Sequence, residues 1–132
     1  MGEVIDKVAW VCVRDGRALA VRSHGKDAFY LPGGKPEAGE DDAAALAREV
    51  REELGVTLTG DPVHLGTWEA AADGRSGGAT VRMACYTAGH AGTPRPAAEI
   101  AELAWLSSGD AGRASAATAL VLAALRESGL IG

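Results

Sequence analysis

Cysteine is scarce in this chain: only Cys12 and Cys85 occur, and neither belongs to a CxxC pair or a Cys/His spacing. That argues against a disulfide framework and against a zinc site, and leaves two reduced thiols in apolar, strand-like runs. Positive charge is also short, with 13 Lys and Arg against 18 Asp and Glu and a formal net charge of −5. Binding to a nucleic-acid polymer needs a basic stripe, so no such partner is expected. An acidic protein that acts on an anionic substrate needs a cation to mediate. Long hydrophobic runs are missing too. The apolar stretch Ala116–Leu125 is too short to cross a bilayer, and Met1–Lys7 lacks the basic start and apolar core of a leader. The expectation is a cytoplasmic protein with no membrane partner. Repeats, linkers and low-complexity tracts are absent, and 132 residues fit one domain, 1–132. A chain of this size buries a core without staples.

What is present reads as alternating strands and helices. Val8–Val13 is a continuous apolar run suited to a buried strand, and Asp15-Gly16 signals a hairpin returning through Ala18–Arg22. A short strand is expected at Phe29–Leu31, stopped by Pro32, and Gly33–Gly39 is turn-rich. A helix follows from about Asp42 to Leu54, with Gly55 placed to end it in a left-handed conformation. Further strands are expected at Val63–Ala71, Ala79–Thr87 and Leu103–Leu106. The loop Asp73–Gly78 separates the first two, and Gly89–Pro96 precedes the third. Ser107, Ser108 and Asp110 offer N-caps for a last, alanine-rich helix reaching about Ser128. The pattern predicts an α/β domain, a mixed sheet sandwiched between helices.

On a helical wheel, Ala43, Leu46, Ala47, Val50 and Leu54 share one side, the expected packing face. Glu49, Glu52 and Glu53, at i, i+3 and i+4, gather on a neighbouring side, with small Ala45 among them. Like charges at that spacing destabilise a helix by a few tenths of a kcal/mol per pair. On the helix alone two readings stay open: a solvated acidic face, and a site for a hard divalent cation such as magnesium. The loop ahead of the helix favours the second. Gly33 and Gly34 permit backbone to approach a ligand, Pro32 stiffens the entry, and Glu40, Asp41 and Asp42 complement the helix dipole.

The stretch GKPEAGEDDAAALAREVREELGV, from Gly34 to Val56, resembles the signature of the Nudix hydrolases. Each fixed position is matched: Gly34, Glu40, Arg48, Glu49, Glu52, Glu53 and Gly55, with aliphatic Val50 and Val56. The resemblance implies a single domain with the Nudix fold, a mixed sheet between helices. It implies a Mg2+-dependent hydrolase, with Mn2+ as a substitute, that cleaves a diphosphate linkage in a nucleoside diphosphate derivative such as a (d)NTP. The implied metal ligands are Glu49, Glu52 and Glu53 with a backbone carbonyl of Gly34 or its neighbour. Glu49 is also a candidate base, and Arg48 would orient the carboxylates rather than touch substrate. Glu40 resembles the family's accessory glutamate. The family recruits a further glutamate from a late loop. Glu99 is preferred to Glu102, which reads as structural.

For the substrate, Lys35 follows the glycine pair and Arg22 ends a strand near it, while Lys26 lies further off; ordinary solvation competes for each. Phe29 and Tyr30 alternate, so one is expected to pack inward and the other to face ligand. For Trp10 and Trp68 a core or half-buried strand role is preferred to stacking on a base, Trp105 reads as core, and His24, His64 and His90 have no metal spacing. The substrate is expected to be a small, nucleotide-like molecule, and the protein a monomer or homodimer. Two alternatives are weighed. A non-catalytic sensing module would be expected to lose motif carboxylates. A diphosphate-linked isomerase would need a thiol in a catalytic context.

Overall fold

The computed structural model describes residues 2–72 and 78–132, so most of the expected Asp73–Gly78 loop lies outside the described residues. The apolar run near the start supplies only the second half of β1, Val4–Trp10, whose first half carries Asp6 and Lys7, and the run is broken before a two-residue β2, Val13–Arg14. The Asp15-Gly16 turn, both residues at positive φ (52° and 72°), returns the chain into β3, Arg17–Ser23. β4 is only Gly33–Gly34, followed by helix α1, Asp42–Leu54. The long hairpin β5, Thr57–Ala71, and β6, Thr80–Ala91, comes next. β7, Ile100–Leu106, a 3-10 turn, Ser108–Arg113, and helix α2, Ala116–Glu127, complete the chain.

The strands form two sheets. One runs β4-β1-β6-β5 and the other β2-β3-β7. The first is mixed: β1 lies parallel to β6, while β4 and β5 pair antiparallel to their neighbours. Strict alternation explains how helices cover both faces. Val8 and Trp10 of β1 with Leu19 and Val21 of β3 face one way, against Ala45, Leu46, Val50 and Leu54 of α1. Ala9, Ala18 and Ala20 face the other, together with Met83 and Cys85, against Val121, Leu122 and Leu125 of α2. Burial on both faces is why Val8–Val11 reads as an unbroken apolar run. Among the described residues, no helix is long and apolar enough to cross a membrane.

Three expectations are corrected. Phe29–Leu31 is not a named strand; Phe29 and Tyr30 make isolated bridges to Ala114 and Val21. The last helix begins later than Ser107–Asp110 suggests. Ser107 caps the 3-10 turn, in which Asp110 reaches back to its N–H, and the side chain of Ser115 caps α2. The packing face of α1 is also rotated. Ala43 and Ala47 are exposed, whereas Ala45, expected beneath an open acidic face, is fully buried with Leu46, Val50, Glu53 and Leu54. The rotation carries Glu53 inward, and that shift makes the site.

Candidate active site

α1 is fixed at both ends by local chemistry. The Asp41 carboxylate accepts from the Ala44 N–H at 2.8 Å, and Gly55, at φ 69°, donates its N–H to the Arg51 carbonyl. Beyond the helix, the N–H groups of Arg95 and Ala97 donate to the carbonyls of Leu54 and Glu53, each at 3.0 Å. The end of the expected Gly89–Pro96 loop is thus clamped to the helix end beside Glu53. The His24 N–H, at 2.9 Å from the Glu99 carbonyl, pins its far side.

The glycine pair does more than turn. Gly33 and Gly34 pair with Ala9 and Val8 as β4. Gly33 has φ 150°, and a Cβ there would lie 2.0 Å from the Val8 carbonyl oxygen. A Cβ on Gly34 would fall 2.6 Å from Cδ of Glu49. Bare backbone therefore lies against the acidic helix face.

The three carboxylates of that face, and Glu99 beside them, have different environments. Glu53 is 7% exposed, and its Oε1 accepts from the Gly33 N–H at 2.9 Å. Burial pushes its carboxyl up to about 8; the charges of Glu49, Glu99 and Glu52 add to this, and the Gly33 N–H opposes it. Glu49 is half-buried and is also shifted upward, by burial first, with Arg48 pulling the other way. Glu52 is exposed. Glu99 is near enough for its charge to bear on both Glu49 and Glu53.

Arg48 organises the rim. Its Nε donates to Glu40 at 2.8 Å, its Nη1 to Glu49 at 2.7 Å, and its Nη2 to the Lys35 carbonyl at 3.2 Å. Nη2 also donates to the second Glu40 oxygen at 2.9 Å, a two-point fork, and Glu52 lies 3.6 Å from Nη1. The Arg48 guanidinium and the Glu37 N–H hold the Glu40 carboxyl down to about 2.

A cleft of about 280 Å3 opens beside Glu53 and Gly33–Gly34. Lys7, Ser23, Lys26 and Tyr30 contribute its polar groups. Ser23 follows a bulge: the β3–β7 register shifts between Arg22 and Ser23. Arg22 there donates to Glu102 at 2.7 Å and to the Lys26 carbonyl at 2.9 Å, closing the turn that brings Lys26 to the cleft.

A family model described as the NUDIX domain matches residues 5–125. The chain belongs to the Nudix family. The solution structure of the E. coli ORF135 protein is similar, at 26% identity and TM-score 0.73, covering 96% of this chain and 94% of that one. So is a MutT Nudix hydrolase from Burkholderia pseudomallei, at 26% identity and TM-score 0.75, covering 92% and 97%. An RNA pyrophosphohydrolase of Halorhodospira halophila (strain DSM 244 / SL1) is 50% identical over 42 residues, 32% of this chain. That match spans only 23% of the relative's length.

As a Nudix hydrolase the chain belongs to a family that uses divalent metal ions, and its donors suit one. They are all oxygen atoms, and their charges crowd at a desolvated point where Glu53 is driven toward neutrality. Among the described residues, no group of three or more His, Cys, Asp or Glu side chains is already gathered around one metal position. Arg48 and the Gly33 N–H hold Glu49 and Glu53 instead.

The Nudix helix accounts for some sequence-predicted residues and leaves others aside. Glu49, Glu53, Arg48 and Gly34 meet at one place, with Glu52 on the outer side. Glu99 lies by this group, whereas Glu102 is paired with Arg22. Tyr30 lines the cleft while Phe29 is buried in the core. Arg22 and Lys35 are not among the residues lining the cleft. Lys7 went unremarked in the sequence because an isolated lysine on a strand carries no signal. Trp10 is fully buried, its indole N–H bonded to the Ala88 carbonyl at 3.2 Å. Trp105 is only half-buried, with the Arg14 guanidinium 4.9 Å from its ring centroid.

Proposed function

We propose that this Nudix hydrolase cleaves the diphosphate linkage of a small nucleoside diphosphate derivative in the cytoplasm, with Mg2+ as its natural ion and Mn2+ as a substitute. A nucleoside triphosphate would yield the monophosphate and pyrophosphate. The observation that carries the reading is Glu53: a buried carboxylate in the wall of a substrate-sized cleft, flanked by Glu49 and bare glycine backbone.

Glu49, Glu52, Glu53 and Glu99, with backbone at Gly34, would hold the ion. When bound, it would neutralise phosphate charge and lower the pKa of an attacking water. Glu49 is the candidate for general base, since it is half-buried, adjacent to the cleft wall and kept oriented by Arg48. Arg48 acts on substrate only through the carboxylates it holds. Lys26, carried to the cleft by the Arg22 turn, would meet the phosphates.

The net charge of −5 favours a small molecule over an RNA chain. The similar RNA pyrophosphohydrolase makes a 5′-triphosphorylated oligoribonucleotide the control to include. The test is a panel of roughly twenty nucleoside diphosphate derivatives and that RNA, assayed with Mg2+, Mn2+ and chelator. Ion-dependent release of a nucleoside monophosphate is the expected result. Saturable binding without turnover would replace the reading with a sensing module.

A further inference from the structure

Ser23, the half-buried last residue of β3, brings a hydroxyl to the wall of the cleft. Among the described residues that hydroxyl has no hydrogen-bond partner. The hydroxyls of the core are treated otherwise: Ser115 donates to Thr118 Oγ1 at 2.9 Å. An uncommitted hydroxyl at a cleft wall keeps one donor and two acceptor positions for a ligand.

The backbone of Ser23, by contrast, is held from several sides. Its carbonyl accepts from the Lys26 N–H at 3.1 Å and from Nη1 of Arg22 at 3.4 Å. The first of these bonds closes a four-residue turn, Ser23 to Lys26. Gly25, at φ 79°, takes the corner where a type II turn requires positive φ. On the other side Ser23 pairs with Ile100, past a bulge that leaves Ala101 opposite no residue of β3. The adjacent His24 N–H is bound to the Glu99 carbonyl at 2.9 Å.

One braced turn therefore carries two donors to the cleft, the Ser23 hydroxyl and the Lys26 ammonium. They differ in kind. The ammonium is a point charge on a flexible stem, whereas the hydroxyl sits one bond from fixed backbone and adds no charge. Glu53 and Gly33–Gly34 reach the same cleft from α1 and β4. A phosphate group that enters with its cation at the carboxylates has oxygens to spare, and these accept from donors on the β3 side.

We propose that Ser23 is a substrate-binding residue, whose hydroxyl donates to a phosphate oxygen beside the Lys26 ammonium. The proposal rests on the diphosphate reading above and adds a residue to it. A hydrogen bond to a charged acceptor is worth roughly tenfold or more in affinity.

The test measures kcat and KM for ATP, CTP, GTP and UTP with Mg2+, and the Kd of inorganic pyrophosphate with Mg2+ by calorimetry. It uses the wild type, Ser23→Ala and Ser23→Thr. Ser23→Ala should raise KM and the pyrophosphate Kd by about tenfold, with kcat within about twofold and the melting temperature unchanged. Ser23→Thr keeps the hydroxyl and should recover most of both losses. Unchanged KM and Kd in Ser23→Ala overturn the proposal, and so does a fall in kcat alone. A loss that Ser23→Thr reproduces in full also overturns it, because packing and not the hydroxyl would then be at stake. If the wild type binds pyrophosphate but turns over no nucleotide, the hydrolysis reading falls and the pyrophosphate Kd alone decides the role of Ser23.

Discussion

The Glu53 carboxylate accepts a hydrogen bond from the Gly33 N–H at 2.9 Å, tying the inner edge of the acidic helix to a two-residue strand twenty positions earlier. Gly33 in turn is paired with Ala9 in β1. The most buried of the carboxylates is therefore held by the sheet itself, on backbone that cannot shift without breaking a ladder. The predictions below follow from that link and from the groups around it.

Glu53→Gln keeps the shape and the capacity to accept from Gly33 but removes the charge. Metal-dependent turnover should fall on the order of a hundredfold or more, with the fold intact by circular dichroism. Without metal the substitution should be stabilising at high pH. The folded-state pKa of Glu53 is raised from 4.5 to about 8, so the folded protein holds its proton longer than the unfolded chain. Below about pH 4.5 this costs nothing; stability then falls as pH rises toward 8, by something on the order of a few kcal/mol. Thermal melts in chelator from pH 5 to 9 should show that slope in the wild type and a flatter one in the variant.

The two glycines should separate stability from activity. Gly33→Ala places a methyl 2.0 Å from the Val8 carbonyl at a φ that side chains rarely adopt. Its loss should appear in chemical denaturation, at about 2 kcal/mol or more. Gly34→Ala pushes instead on the Glu49 carboxylate. There kcat should drop about a hundredfold, with a much smaller change in melting temperature.

Arg48→Ala frees Glu40 and Glu49 together, and Arg48→Lys restores charge without the two-point fork. Both should lower kcat, the lysine variant less, by about tenfold to a hundredfold for alanine. The Glu40 carboxyl, held down to about 2, contributes stability above pH 4.5 that is lost as the pH falls toward 2. In Glu40→Gln the acid unfolding midpoint should respond less to Arg48→Ala, the remainder coming from Glu49, as a double-mutant cycle of acid titrations would reveal.

Lys26→Ala should raise KM with little change in kcat. Arg22→Ala should do so more weakly, and Glu102→Gln more weakly still, because the first removes the bond that closes the turn carrying Lys26 and the second only frees Arg22. A Glu102→Gln variant with full loss of metal-dependent turnover would instead make Glu102 a ligand.

Neither thiol should matter to catalysis. Burial pushes Cys85 up to about 12 and raises Cys12 as well, so both stay protonated at neutral pH. Cys12→Ala and Cys85→Ala should retain turnover, and a thiol reagent at pH 8 should label the folded protein slowly and the unfolded protein at once.

Much of this was legible in the sequence because it depends on local spacing. Helix α1 runs from Asp42 to Leu54 and ends at Gly55 in the left-handed region, as its periodicity and cap residues require. The convergence of Glu49, Arg48 and Glu40 is likewise a matter of one helix and the turn before it. The Asp15-Gly16 hairpin and the order of strands and helices are of the same kind. What spacing could not supply was the rotation of α1 that buries Ala45 and Glu53, since a wheel ranks faces by hydrophobicity and cannot see a distant N–H waiting at Gly33. Nor could it show that Glu102 neutralises Arg22, 80 positions away, or that Lys7, Lys26 and Tyr30 wall one cleft. Residue type and local period determined which groups this chain offers to a metal and a phosphate. Their division of labour was decided only by tertiary packing, because burial and long-range partners, not spacing, set which charge is desolvated, which is paired and which faces the cleft.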